Sequence, residues 1–187
     1  MRTFAASSCQ RGITLIEVLV TIVILLIGLL GLAKLQTRLQ VSDVESYQRA
    51  QALILLDDMS NRIQANPNAA ASYVTGASSP LGVGVDCGAA SATRQQLDSA
   101  EWCRALQGAA EMEGTSKKLG AMIGGRGCVE SVGSNTYLIT VAWQGMAPIS
   151  APPGGVACGV GQYNGSSACV NDLCRRVVTT MVRVAPL

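Results

Sequence analysis

Seven cysteines and no histidine set the chemistry open to this 187-residue chain. Without histidine there is no Ser-His-Asp or Cys-His catalytic centre and no His-bearing metal site. Cys9 stands near the N-terminus, and the other six are Cys87, Cys103, Cys128, Cys158, Cys169 and Cys174. None of them forms a Cys-x2-Cys pair, so a zinc site is disfavoured. An even set in an oxidising compartment reads as disulfides. The spacing leaves the connectivity open. Cys87–Cys103, closing a segment ahead of the sheet, is the one pairing we single out, and the four later cysteines would then tie the sheet to a long loop. Asp57-Asp58 reads as a solvated helix face rather than a metal pair. No catalytic residue, metal ligand or cofactor is assigned.

The remaining residue with chemical interest is Glu17, because of where it lies. From Val18 to Gly31 the chain is apolar and uncharged, and extended to Ile13–Ala33 the run contains one charge, Glu17. A membrane-spanning helix needs roughly 20 such residues. A carboxylate in that setting is costly and calls for a partner. Arg2 and Arg11 precede the run with no acid between them, which holds that end in the cytoplasm and puts the chain after Lys34 outside it. The run is longer than the 7–15 residue core of a cleaved secretory signal, and such signals avoid a carboxylate. Gly31-Leu32-Ala33 would otherwise suit signal peptidase.

Composition agrees with a membrane segment on a folded head. The hydrophobic share is 49%, charged residues are 14% and aromatic residues 4%, with a mean hydropathy of +0.32. The 14 basic and 12 acidic residues are too balanced to indicate nucleic-acid binding by bulk charge.

The elements that must position these residues can be read in order. Residues 34–66 contain no Gly and no Pro, and Ala52, Leu56, Met59 and Ile63 form one apolar stripe. Asn66-Pro67 ends the run, since a residue before proline is driven out of the helical region. One helix is expected from Ile13 to about Ala65, roughly 80 Å long. Residues 67–95 read as loop, and 95–123 as partly helical, with Leu97, Trp102, Leu106, Leu119 and Met122. Tyr137, Ile139, Val141 and Trp143 alternate with Leu138, Thr140 and Ala142, a strand period. Cys128-Val129-Glu130 is the expected partner strand, across a turn at Ser131 to Ser134. Arg175 to Val184 is β-branched and reads as a further strand. The Gly-, Pro- and Ser-rich stretch 145–173 reads as a surface loop pinned by disulfides. Trp102 and Trp143 are expected in the core. Arg175-Arg176 either caps the loop or meets another subunit.

Arg11-Gly12-Ile13-Thr14-Leu15-Ile16-Glu17-Val18-Leu19-Val20 resembles the class III signal of type IV pilins. The family usually has phenylalanine where Ile13 stands. The resemblance implies cleavage after Gly12 by a prepilin peptidase and methylation of Ile13. It also implies that Glu17 serves as an assembly contact, meeting the free amine of Ile13 on a neighbouring subunit. Residues 1–12 would be the leader, carrying away Cys9, Arg2 and Arg11. Residues 13–66 would be the long helix (13–33 transmembrane, 34–66 amphipathic), and 67–187 a periplasmic head. The implied fold is α+β, with the helix packed on an antiparallel sheet.

Arg49 to Asn66, Trp102, and Tyr137 to Gln144 resemble the corresponding stretches of PilV-type minor pilins. That resemblance implies a structural protein of the type IV pilus, serving twitching motility or adhesion. Its partners would be the major pilin, other minor pilins, prepilin peptidase, the inner-membrane assembly platform and the bilayer. It would lie in the inner membrane before assembly and in the extracellular pilus afterwards. The alternative is a type II secretion pseudopilin, many of which bind calcium through acidic loops. Residues 145–174 contain one acid, Asp172. A membrane-anchored periplasmic enzyme is a weaker rival, because no set of acids or nucleophiles converges.

Overall fold

The computed structural model describes residues 12–88, 93–109, 112–113, 117–118, 122–165 and 168–185, with the backbone alone described at 112–113 and 117–118. Arg2, Cys9, Arg11 and Leu119 lie outside these residues.

Helix α1 runs Leu15–Ala65, without interruption at Gly28 or Gly31. It ends where expected, ahead of Asn66-Pro67, and Pro67–Tyr73 follows as a 3-10 helix. The chain divides into two units, one through Ser42 and one from Asp43 onward. In the first, every residue from Gly12 to Gln40 is exposed. This part of α1 is long and apolar enough to cross a membrane.

The second unit has its own core. The expected stripe of Ala52, Leu56, Met59 and Ile63 is buried, and it extends back to Gln48. It packs with Trp102, Leu106, Val129, Ile139, Val141 and Trp143 in one cluster. Helix α2, Arg94–Leu106, opens on a capping box: Thr93 Oγ1 accepts from Gln96 N, and Gln96 Oε1 accepts from Thr93 N. The helix stops short of the expected extent, since Gly108 adopts φ +84° and turns the chain away.

Strand β1 is Leu81–Gly82, a short element in what reads from sequence as loop. Strands β2, Met112–Glu113, and β3, Lys117–Lys118, form a separate antiparallel pair. The main sheet adds β4, Arg126–Gly133, β5, Thr136–Gln144, and β6, Arg175–Arg183. Its order is β1-β4-β5-β6, antiparallel throughout. Strand β4 runs further than expected. The β4–β5 turn is Ser134-Asn135, with Asn135 at φ 53°. Asparagine tolerates that left-handed conformation better than most residues.

Strand β5 is buried on both faces at its centre. Ile139, Val141 and Trp143 face the helix side, while Thr140 and Ala142, on the other face, are also fully buried. The loop after β5 folds back over that outer face. Cys158 approaches the Thr140 carbonyl, and a Cβ on Gly159 would sit 3.4 Å from Ala142 Cβ. An α+β fold with the second half of a long helix on a disulfide-bearing antiparallel sheet fits the type IV pilin fold.

Candidate functional site

Three of the residues singled out from sequence fall together at the start of the first unit. Gly12 and Ile13 precede α1 and are exposed, Ile13 at 76%. A Cβ built on Gly12 meets nothing within 4 Å, so the peptide after it is open to approach. Thr14 accepts the first helical amides: Glu17 N reaches the Thr14 carbonyl at 3.1 Å and Val18 N at 3.3 Å. Thr14 Oγ1 also accepts from Glu17 N at 3.4 Å. That satisfies amides that a helix start leaves without intrahelical partners. The Glu17 carboxylate itself has no hydrogen-bond or ion-pair partner among the described residues. A carboxylate without a partner among the described residues can answer a cation from another molecule. Among the described residues nothing around it resembles a catalytic constellation.

The six cysteines expected to pair do so within the second unit. Cys87 joins Cys103 with Cα atoms 5.5 Å apart. Cys128 joins Cys158 at 5.9 Å, and Cys169 joins Cys174 at 5.2 Å. The first ties the loop after β1 to α2. The second ties β4 to the long loop across β5. The third closes the turn that feeds β6.

Two polar networks stand out among the described residues of the second unit, and neither was read from sequence. Arg62 on α1 donates to Asp58 at 3.0 Å, to Asp98 at 2.9 Å and to Glu101 at 2.7 Å. Burial works against its charge, but the hydrogen bonds to Glu101, Asp58 and Asp98 outweigh it and raise its pKa. Asp98 is fully buried and also accepts from the Tyr73 hydroxyl at 2.6 Å, while Arg94 lies 3.0 Å away. Burial first, and this hydrogen bond second, raise the Tyr73 pKa. Helix α1, the 3-10 helix and α2 are thereby joined by one set of charges. The i,i+4 spacing of Asp58 with Arg62 and of Arg94 with Asp98 signals its local pairs, but Arg62 and Asp98 meet only through the fold.

The second network organises the long loop. Arg175 is buried, donating to Asp172 Oδ2 at 3.2 Å and to the carbonyls of Val156 at 2.8 Å and Cys158 at 3.2 Å. Asp172 Oδ1 accepts from Gly161 N at 2.8 Å. Both oxygens of the one acid in this loop are therefore engaged by the protein. Arg176 turns the other way, to the Ala147 carbonyl at 2.6 Å and to Glu45 on α1 at 3.4 Å. The two adjacent arginines, left open between roles in the sequence, both bond within the second unit.

Residues 7–33 match the family model described as the prokaryotic N-terminal methylation motif. No curated protein matches the chain, and no solved structure does. The match covers Gly12, Ile13 and Glu17 and supports a type IV pilin-like protein, of a structural rather than enzymatic kind. Together with the exposed apolar helix it fits a membrane-anchored pilin processed by prepilin peptidase.

Proposed function

We propose that this chain is a minor pilin of the PilV type, acting in the assembly or initiation of a type IV pilus. The observation that carries the reading is the methylation motif set directly on an apolar helix that no described residue covers. Cleavage after Gly12 frees the amine of Ile13 at the depth of Glu17, one helical turn on. A carboxylate with no partner of its own and a new cation on the next subunit then form a pair that forms only between molecules. The apolar helix halves pack together in the filament, and the heads face outward. Residues 1–12 are the leader, 13–66 the helix and 67–187 the periplasmic head. The major pilin, other minor pilins and the inner-membrane platform are its partners. Engagement of both Asp172 oxygens within the head disfavours the calcium-loop form of the secretion pseudopilin.

Intact-mass analysis of the matured protein tests the reading. Loss of Met1 to Gly12 with one added methyl is expected, and Gly12→Glu should prevent it. A mature start near Lys34 would overturn the proposal. Recovery of the tagged chain in sheared pili, rather than in a secretion apparatus, separates the pilus from the pseudopilus.

A further inference from the structure

Strand β6 has β5 on one flank and, among the described residues, no strand on the other. Along an antiparallel ladder, residues alternately direct both backbone polar groups to a given neighbour and away from it. Two bonds fix the phase here: Val184 N donates to Asn135 O at 2.8 Å, and Gly145 N donates to Cys174 O at 2.8 Å. Even-numbered residues of β6 therefore face β5. Val177, Thr179, Met181 and Arg183 turn their N–H and C=O groups outward, and no described residue bonds to those groups.

Natural sheet edges are blunted by proline, bulges, brevity, a covering element or charged side chains, and β6 carries one exposed charge, Arg183. Strand β6 contains no proline and no bulge, and its nine-residue register with β5 is unbroken from Arg183 opposite Thr136 to Arg175 opposite Gln144. Met181 is 71% exposed and is paired with Leu138, so an apolar row reaches the edge. Arg183 is exposed and has no acidic partner among the described residues.

We propose that β6 accepts a further strand, an extended acid-bearing segment of a different protein, whose backbone pairs with the outward groups and whose carboxylate meets Arg183. Backbone groups at strand spacing recognise another extended backbone, and alternate side chains supply the selectivity. Charge decides against the same edge of a second copy. Strand β6 contains no acid, so self-pairing in any register leaves Arg183 without a counter-charge. The inference stands on the sheet alone and is independent of the filament reading.

The test uses the full chain in its own cells, with a photo-crosslinking phenylalanine at Met181 and, as control, at exposed Asp57. We expect one adduct specific to Met181, mapped by mass spectrometry to an extended segment of another protein containing Asp or Glu. Thr179→Pro removes one outward N–H at a place where an edge strand tolerates proline, and should cut the adduct at least tenfold. Arg183→Glu, an exposed change that leaves the core untouched, should do the same, so the proposal stays testable if the proline variant fails to fold. Oxidised disulfides in each variant report folding. Crosslinking at Met181 no greater than at Asp57, an adduct only with a second copy, or adducts unchanged in folded Thr179→Pro and Arg183→Glu would each overturn the proposal.

Discussion

Arg175 and Asp172, three residues apart, form an ion pair inside the loop that covers the outer face of β5. The guanidinium also gathers the carbonyls of Val156 and Cys158, so one side chain fixes three points of an otherwise irregular segment. Removing one partner of a buried pair strands the other and costs about 3–5 kcal/mol. Arg175→Met should therefore lower the urea midpoint sharply. Asp172→Asn should cost less, since an amide still accepts from Gly161 N and asparagine tolerates φ 60°.

Gly127 lies directly beneath Trp102. A Cβ at 127 would come within 2.2 Å of the indole ring and 2.8 Å of Leu106 Cδ1. Gly127→Ala should destabilise the head by about 1–3 kcal/mol or more, the range for overpacking. Trp102→Phe in the same chain should recover part of the loss, and a double-mutant cycle by chemical unfolding measures the coupling.

The mature protein should contain no free thiol. Replacing Cys128 and Cys158 together by alanine should cost about 2–4 kcal/mol, more than the corresponding change at Cys169 and Cys174, because the first bridge closes the longer loop. Thiol labelling under denaturing conditions, followed by unfolding of each double variant, checks both statements.

The phenols of Tyr73 and Tyr163 are raised above their ordinary value, in both cases chiefly by burial. Folding thus favours the protonated form. The contribution is complete below about pH 10, the unfolded value, and declines as pH climbs through the higher folded values. Stability measured across pH 9–12 should fall, and Tyr163→Phe should make the fall shallower. That variant should also lose about 1 kcal/mol at neutral pH with the hydrogen bond from Tyr163 to the Gly124 carbonyl.

Glu17→Ala removes the one charge between Ile13 and Ala33. Membrane insertion should be retained or improved, by less than about 2.5–3.5 kcal/mol, the insertion-scale cost of a charge at a helix centre, since Glu17 lies near the end of the run. Cleavage after Gly12 should persist, while recovery in sheared filaments should fall at least tenfold. Glu17→Asp should be intermediate. Equal recovery of Glu17→Ala and the parent would remove the carboxylate from the assembly contact.

Local chemistry made part of this molecule readable in advance. The stripe Ala52-Leu56-Met59-Ile63, the stop at Asn66-Pro67 and the alternation from Tyr137 to Trp143 each rest on neighbouring residues and a fixed period. The motif at Gly12 and Glu17 is likewise local. What escaped depends on residues far apart in the chain. Thr140 and Ala142 are polar or small and would pass for a solvent face, yet a distant loop buries them. The two-residue β1 is too short for any period to show. Asp98 reads as an ordinary helix acid until Arg62 and Tyr73 arrive from other elements.

The bridge between Cys128 and Cys158 has a mechanical consequence. A chain drawn out by its ends lengthens only by the segments outside its closed rings. This ring has a sequence separation of 30 and encloses the whole of β5. At 3.3–3.6 Å per extended residue it withholds about 100 Å of contour from any pull along the chain. Under tension applied through α1, the central strand of the sheet therefore stays on a short tether even when its hydrogen bonds have parted.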